Sequence, residues 1–164
     1  MDCESGGFYL MNLEKIVELD RINMSPILKE LGIEFDPERR KKDLEREIEK
    51  GARFVLVWRG DILAAYLEYM PVSDDCWNVM SIQIHPAYKR SSILRDIFRQ
   101  AYREILSNRP KKVFSSAHKN NKSSVLLHRR LGFGVISDEN ERYRYEISGD
   151  ELLGFFSRIF ERGN

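Results

Sequence analysis

The residues with the most chemical capacity gather in the second half of the chain. Ile84-His85-Pro86-Ala87-Tyr88-Lys89-Arg90-Ser91-Ser92-Ile93-Leu94 lies between an apolar strand candidate and an amphipathic helix candidate. Backbone amides at a helix N-terminus hold anions, and Lys89 and Arg90 bring two cations to that end, so the stretch suits a phosphate. It also reads as a plain charged connection from strand to helix. Further on, His128 sits within Asn121-Lys122-Ser123-Ser124-Val125-Leu126-Leu127-His128-Arg129-Arg130-Leu131-Gly132-Phe133. With a reference pKa of about 6.5, a histidine gives or takes a proton near neutrality; it can equally just complete a helix face. His118 and Glu68 are further groups able to exchange a proton, and Asp74 and Asp75 could draw a cation. Each of these also reads as an ordinary exposed polar residue. Cys3 and Cys76 match no metal or redox spacing, so two reduced thiols and no metal site are expected.

The elements that must position these groups follow from periodicity. Asn120 or Asn121 caps a helix whose apolar spacing is carried by Val125, Leu126 and Leu131, and Gly132 supplies the left-handed residue past its end. Ser92 to Leu106 places Ile93, Leu94, Ile97, Phe98, Ala101, Tyr102 and Ile105 on one side of a helix. Before it, Phe54 to Trp58 and Ile62 to Met70 form a hairpin about Arg59-Gly60-Asp61, and Trp77 to Ile84 is a third strand. The Arg-Gly-Asp triplet is read as turn chemistry. Lys112 to Ala117 and Glu141 to Ile147 are two more strands.

At the start, Phe8-Tyr9-Leu10-Met11 is a short strand candidate, after which Asn12 caps a helix through Leu13, Ile16, Val17 and Ile22. Ser25-Pro26 restarts it, and Asp36-Pro37 opens a second helix that runs to Gly51. The run Arg39-Arg40-Lys41-Lys42 is interleaved with Asp43, Glu45, Glu47 and Glu49, which makes it a solvated face and not a nucleic-acid patch. Asp150 caps a last helix in which Leu152, Leu153, Phe155, Phe156, Ile159 and Phe160 leave little polar face. Either the rest of the chain covers that face or a second copy does, as a homodimer.

Composition sets the outer bounds. The chain has 164 residues, 27 Lys plus Arg against 26 Asp plus Glu, and a formal net charge of +1. That length is about one domain's worth, taken as residues 1–164. Near-neutral charge gives no bulk attraction to nucleic acid or anionic membrane. With no apolar run of membrane-spanning length and no leader pattern, a cytoplasmic location is expected.

The pattern Asn121-x-x-Ser124-x-x-Leu127-His128-x-x-Leu131-Gly132-Phe133 resembles the fourth-helix motif of the GNAT superfamily, the acyl-CoA-dependent N-acyltransferases. Their usual form is Asn-x-x-Ala-x-x-Leu-Tyr-x-x-Leu-Gly-Phe. The stretch from Ile84 to Leu94 is similar to the family's pyrophosphate loop up to Tyr88-Lys89, then departs from it. Ser92 and Leu94 stand for the two motif glycines, and Arg90 for the glycine that often precedes them. Sequence-level likeness is confined to residues 82 to 133, but the order of elements agrees along the whole chain. The fold this implies is α/β: a mixed, largely antiparallel central sheet with a parallel crossover and helices on both faces.

The resemblance implies acetyl transfer from acetyl-CoA to a primary amine of a small molecule or protein. The third strand and the strand after the cofactor helix would splay apart around the pantetheine arm. Backbone near Ile82 and Ile84 would bind the arm, Lys89, Arg90, Ser91, Ser92, Ile93 and Leu94 the pyrophosphate, and Asn121 and Ser124 would flank the arm. His128 occupies the place of the tyrosine that protonates the sulfur. His118, or Glu68 through water, would relieve the amine of its proton. The alternative is a degenerate relative with weak or no CoA binding, acting as a binding or interaction module. Leu94 and His128 favour it.

Overall fold

The computed structural model describes the backbone of residues 3–88 and 91–162, and side chains from residue 12 onward within those spans. The sequence opens with α1 (Cys3–Glu30) and α2 (Pro37–Glu49), then β1 (Arg53–Arg59), β2 (Ile62–Pro71) and β3 (Cys76–Ile84). A 3₁₀ turn at Pro86–Tyr88 leads to α3 (Ser91–Asn108), β4 (Lys112–His118), α4 (Lys122–Arg130), β5 (Gly134–Ser137), β6 (Arg142–Ser148) and α5 (Gly149–Glu161).

The six strands form one sheet in the order β1-β2-β3-β4-β6-β5. Only β3 and β4 run parallel, joined by the crossover through α3. The other neighbours are antiparallel. The mixed, largely antiparallel sheet expected from the sequence is present. Alternation along the strands divides the core in two. Val55 and Val57 of β1, Ala65 and Leu67 of β2, and Val113 of β4 meet α3 and α5 on one face. Leu63 and Tyr66 of β2 meet Leu13, Ile16, Val17 and Leu19 of α1 and Leu44 of α2 on the other.

Several expectations change. Phe8 to Met11 is not a strand: the backbone stays helical through it, and α1 also runs through Pro26. Proline there removes a single hydrogen-bond donor near the helix end, too little to stop it. β5 is an additional strand. The last helix is capped by Ser148, not Asp150, through a capping box with Glu151. Of the basic run on α2, Arg40 turns inward instead of joining a solvated face.

The apolar face of α5 is covered in part by the chain itself. Leu152, Leu153 and Phe156 are buried, Phe156 stacks on Phe98 with ring centroids 5.1 Å apart, and Phe160 meets Tyr102 edge-on. Half of the apolar residues that prompted the idea of a second copy are thus buried within the chain, while Phe155, Ile159 and Phe160 stay partly exposed. Gly132, at φ +85°, lets the end of α4 lie against α5 so closely that a Cβ would fall 2.3 Å from the Phe155 ring.

Candidate active site

The sheet opens where β3 and β4 part. Their parallel ladder has only four rungs, ending at Val79↔Ser115. Beyond it, β3 continues to Ile84 against β2 alone, and β4 to His118 against β6 alone. A bulge assists the departure: Glu68 pairs with Ser81 and Tyr69 with Val79, leaving Met80 over. Such an extra residue bends its strand and reverses which residues face which side. Trp77 and Val79 face the α3 side before the bulge, and Ile82 and Ile84 face it afterwards. The result is a wedge with a strand edge as one wall and backbone groups that no strand pairs.

At the open end of the wedge, the 3₁₀ turn delivers the chain to α3. Ser91 and Ser92 are exposed at its first turn, whose amides have no helical partner. Ile93 is buried, and Leu94 is half-buried and packs its side chain on the core. A leucine in place of a small residue finds its room there. Lys89 and Arg90 lie outside the described residues.

The closed end holds a polar cluster. Ser115, 7% exposed, sits on the last rung, and its Oγ lies 2.8 Å from His128 Nε2. His128 Nδ1 lies 2.7 Å from the carbonyl oxygen of Ser124. A carbonyl only accepts, so Nδ1 carries the proton. Nε2 of the neutral ring is then the acceptor, and the Ser115 hydroxyl donates to it. The ring stacks on Tyr145 at 4.2 Å and meets Phe133 edge-on. Burial pushes the His128 pKa down, partly offset by the Ser124 carbonyl. Tyr145 is the cross-strand neighbour of Ser115, and its buried hydroxyl meets no hydrogen-bond partner among the described residues. Asn121 caps α4 by accepting from Ser124 N–H at 3.1 Å, so these two residues set the helix start beside β4.

The remaining candidates are dispersed. His118, half-exposed at the end of β4, accepts from Asn120 N–H through Nδ1 and faces Glu141 through Nε2 at 3.3 Å. Glu68 lies on the opposite face of the sheet, 1% exposed beneath α1 and α2. There Arg40 reaches Asp20 at 2.7 Å, Glu47 at 3.1 Å and Glu68 at 3.3 Å, and Tyr66 donates to Asp20 at 2.5 Å. Burial first, and then the Glu47 carboxylate, push Glu68 up to about 8. Asp74 and Asp75 precede β3, behind the vertex of the wedge: Asp75 lies roughly 13 Å along the strand from Val79 and roughly 30 Å from the open end at Ile84. Asp75 pairs with Lys111. Both aspartates stand on the side of the vertex away from the open mouth.

Sequence reasoning missed Ser115 and Tyr145. The signal for Ser115 was present: Val113, Ser115 and Ala117 alternate onto one buried face, and a hydroxyl among them needs a partner. Among the described residues, no group of three or more His, Cys, Asp or Glu is arranged to hold a metal ion, and no helix is long and apolar enough to cross a membrane.

Residues 16–133 match the model of the acetyltransferase (GNAT) family. No curated protein sequence matches the chain. Among solved structures, the PaiA N-acetyltransferase of Thermoplasma acidophilum in complex with coenzyme A is similar, with a TM-score of 0.66 at 16% identity, over 84% of this chain and 92% of that one. The spermidine/spermine N-acetyltransferase SpeG of Vibrio cholerae, solved in mutant forms, gives 0.61 at 15%, over 87% and 91%. The N-acetyltransferase PseH of Campylobacter jejuni in complex with acetyl coenzyme A gives 0.55 at 12%, over 68% and 78%.

Proposed function

The chain belongs to the GNAT acetyltransferase family, and from that premise we propose that it transfers an acetyl group directly from acetyl-CoA to a primary amine of a small molecule or a protein. The observation that carries this reading is the wedge: a parallel ladder stopped after Val79↔Ser115, with an unpaired strand edge leading to the start of a helix. An extended amide-bearing arm is what such an edge can pair with, as an added strand does. The residues present suit the donor. The edge beyond Val79 that no strand pairs, the first turn of α3 and the Tyr145 hydroxyl, unpartnered among the described residues, are places where a thioester nucleotide could be held.

On this reading, Ile82 and Ile84 contribute backbone to the arm, and Asn121 and Ser124 line it from α4. Lys89, Arg90 and the first turn of α3 neutralise the pyrophosphate. His118 is the group to relieve the incoming ammonium of its proton before attack, and His128 the group to supply one to the sulfur. Glu68 takes no part, because α1 and α2 close it off from the wedge. Spermidine/spermine acetylation by the similar SpeG is compatible with an amine acceptor.

Calorimetric titration of acetyl-CoA and of free CoA tests the reading, repeated on Lys89→Ala/Arg90→Ala. The expected outcome is binding that weakens by roughly tenfold or more in the double variant, the loss of at least one charge-assisted hydrogen bond of about 1.5 kcal/mol. No heat from either ligand would sink the proposal and favour the degenerate binding module.

A further inference from the structure

We infer that the Ser115 hydroxyl, held by His128 at the vertex of the wedge, carries the reaction's proton from the attacking nitrogen to the departing sulfur. The inference rests on the acetyl-transfer reading above and adds a catalytic residue to it. Three observations carry it. Ser115 stands on the last rung of the β3–β4 ladder, so it is the β4 side chain at the point where the strands part. Its oxygen is bonded to His128 Nε2 at 2.8 Å, so any proton reaching or leaving that nitrogen passes through the hydroxyl. The other ring nitrogen is fixed as a donor by the Ser124 carbonyl, which leaves Nε2 unprotonated at rest, its lone pair accepting from Ser115.

The proton balance closes without an outside acid or base. The neutral amine attacks, a C–N bond forms and the nitrogen becomes positive. Ser115 Oγ takes a proton from that nitrogen while passing its own to His128 Nε2. As the C–S bond breaks, Ser115 gives its proton to the sulfur and recovers one from His128. Serine and histidine end as they began, and the amine proton has become the thiol proton. His128 works only through Ser115, as its positioning and reservoir partner.

The surroundings suit a ring that is neutral at rest and holds the extra proton briefly. Ser124 faces it from α4, Ser115 from β4, Tyr145 from β6 and Phe133 from the following loop. Tyr145 is the titratable group in contact, and burial keeps its phenol protonated, with Arg129 the nearby cation acting on that phenol. Among the described residues no carboxylate contributes to the His128 shift, so the Ser124 carbonyl alone favours the imidazolium, against burial.

The test uses Ser115→Ala, Ser115→Thr and His128→Gln. Calorimetry should show acetyl-CoA affinity within twofold of the wild type for Ser115→Ala. CoA release with spermidine, lysine and a lysine-containing peptide as acceptors should fall about 100-fold in kcat, the scale of a lost proton-transfer group. Ser115→Thr, which keeps the hydroxyl, should recover most of the rate. The share of the acidic limb of the wild-type kcat profile set by His128 taking a second proton, on Nε2, should be lost in His128→Gln. In the free protein, the imidazole nitrogen resonances should report His128 protonated on Nδ1. An Nε2-protonated ring would overturn the relay, as would a Ser115→Ala protein that binds and transfers at the wild-type rate; both leave the acetyl-transfer reading standing. Absence of acetyl-CoA binding by the wild type would overturn both.

Discussion

Replacing Glu68 with glutamine should stabilise the protein, and increasingly so as the pH rises. Three carboxylates, those of Asp20, Glu47 and Glu68, converge on the single guanidinium of Arg40. Asp20 has the shortest ion pair, at 2.7 Å, and also accepts from the Tyr66 hydroxyl, so its charge is well met. Glu68 has the longest, at 3.3 Å, lies 1% exposed, and one of its oxygens has no partner among the described residues. Ionising all three would set three negative charges against one positive one in a dry space. Glu68 is therefore the one that keeps its proton, with a pKa pushed up from 4.5 to about 8.

That shift fixes the sign of a stability effect. Between pH 4.5 and 8 the folded state holds a proton on Glu68 that the unfolded chain has released. Folding takes up a proton across this window, and stability falls as pH rises through it. At about 1.4 kcal/mol per unit, the cost of Glu68 is near zero below pH 4.5 and roughly 3 kcal/mol at pH 7. That is a large part of a typical domain stability of about 5–15 kcal/mol. Glutamine has no proton to lose, and its amide oxygen still accepts from Arg40. Urea unfolding followed by the fluorescence of Trp58 and Trp77 should therefore give matching stabilities near pH 4.5. The Glu68→Gln protein should be ahead by about 2–4 kcal/mol at pH 7.5. A difference that stays constant from pH 4.5 to 8 would refute the reasoning, because it would mean that Arg40 keeps Glu68 ionised despite its burial.

Two further changes probe the packing that frames the site. Gly132→Ala puts a side chain on a left-handed residue and into the Phe155 ring, so urea unfolding should show a loss of about 2–4 kcal/mol; Gly132→Ala/Phe155→Leu should recover only the steric share. Ser148→Ala should cost about 1 kcal/mol by removing the capping box of α5, while Asp150→Ala, at an exposed first-turn position, should change the same unfolding curve by less than about 0.5 kcal/mol.

What the sequence disclosed about the fold is what short-range chemistry controls. The Gly60-Asp61 turn, the Gly132 helix stop and the apolar stripe of α3 each need only a few neighbouring residues to be read, and each is present. Phe8 to Met11 failed because a four-residue apolar run carries no period that separates strand from helix. β5 failed for the opposite reason: Val135 and Ile136 are both half-exposed at a sheet edge, so the strand shows no alternation. The candidate site divided in the same way. Asn121 and Ser124 belong to one helix start and were legible together. The bond from Ser115 to His128 joins a strand to a helix, and Arg40 to Glu68 joins α2 to β2. Those partnerships depend on which face each residue turns to, which is settled only when the sheet closes.

The bulge at Met80 shows how the two faces of the sheet depend on each other. By reversing the alternation of β3, it sends Ser81 and Gln83 to the α1 side while Ile82 and Ile84 stay with α3. Asn23 of α1 then donates to Gln83 Oε1 at 2.8 Å and to the Ile84 carbonyl at 3.1 Å, and Tyr66 lies 3.4 Å from Ser81 Oγ. The end of β3 that leaves β4 is thus fastened from the far face by α1 and by the same tyrosine that anchors Asp20. A strand edge kept open without a neighbour needs some other hold, or it would close on β4 and satisfy its own backbone. Here that hold is a set of side-chain hydrogen bonds on the face opposite Ser115 and His128. The polar side chains under α1 and α2 brace the wedge, and the proposed proton chemistry has the other face to itself.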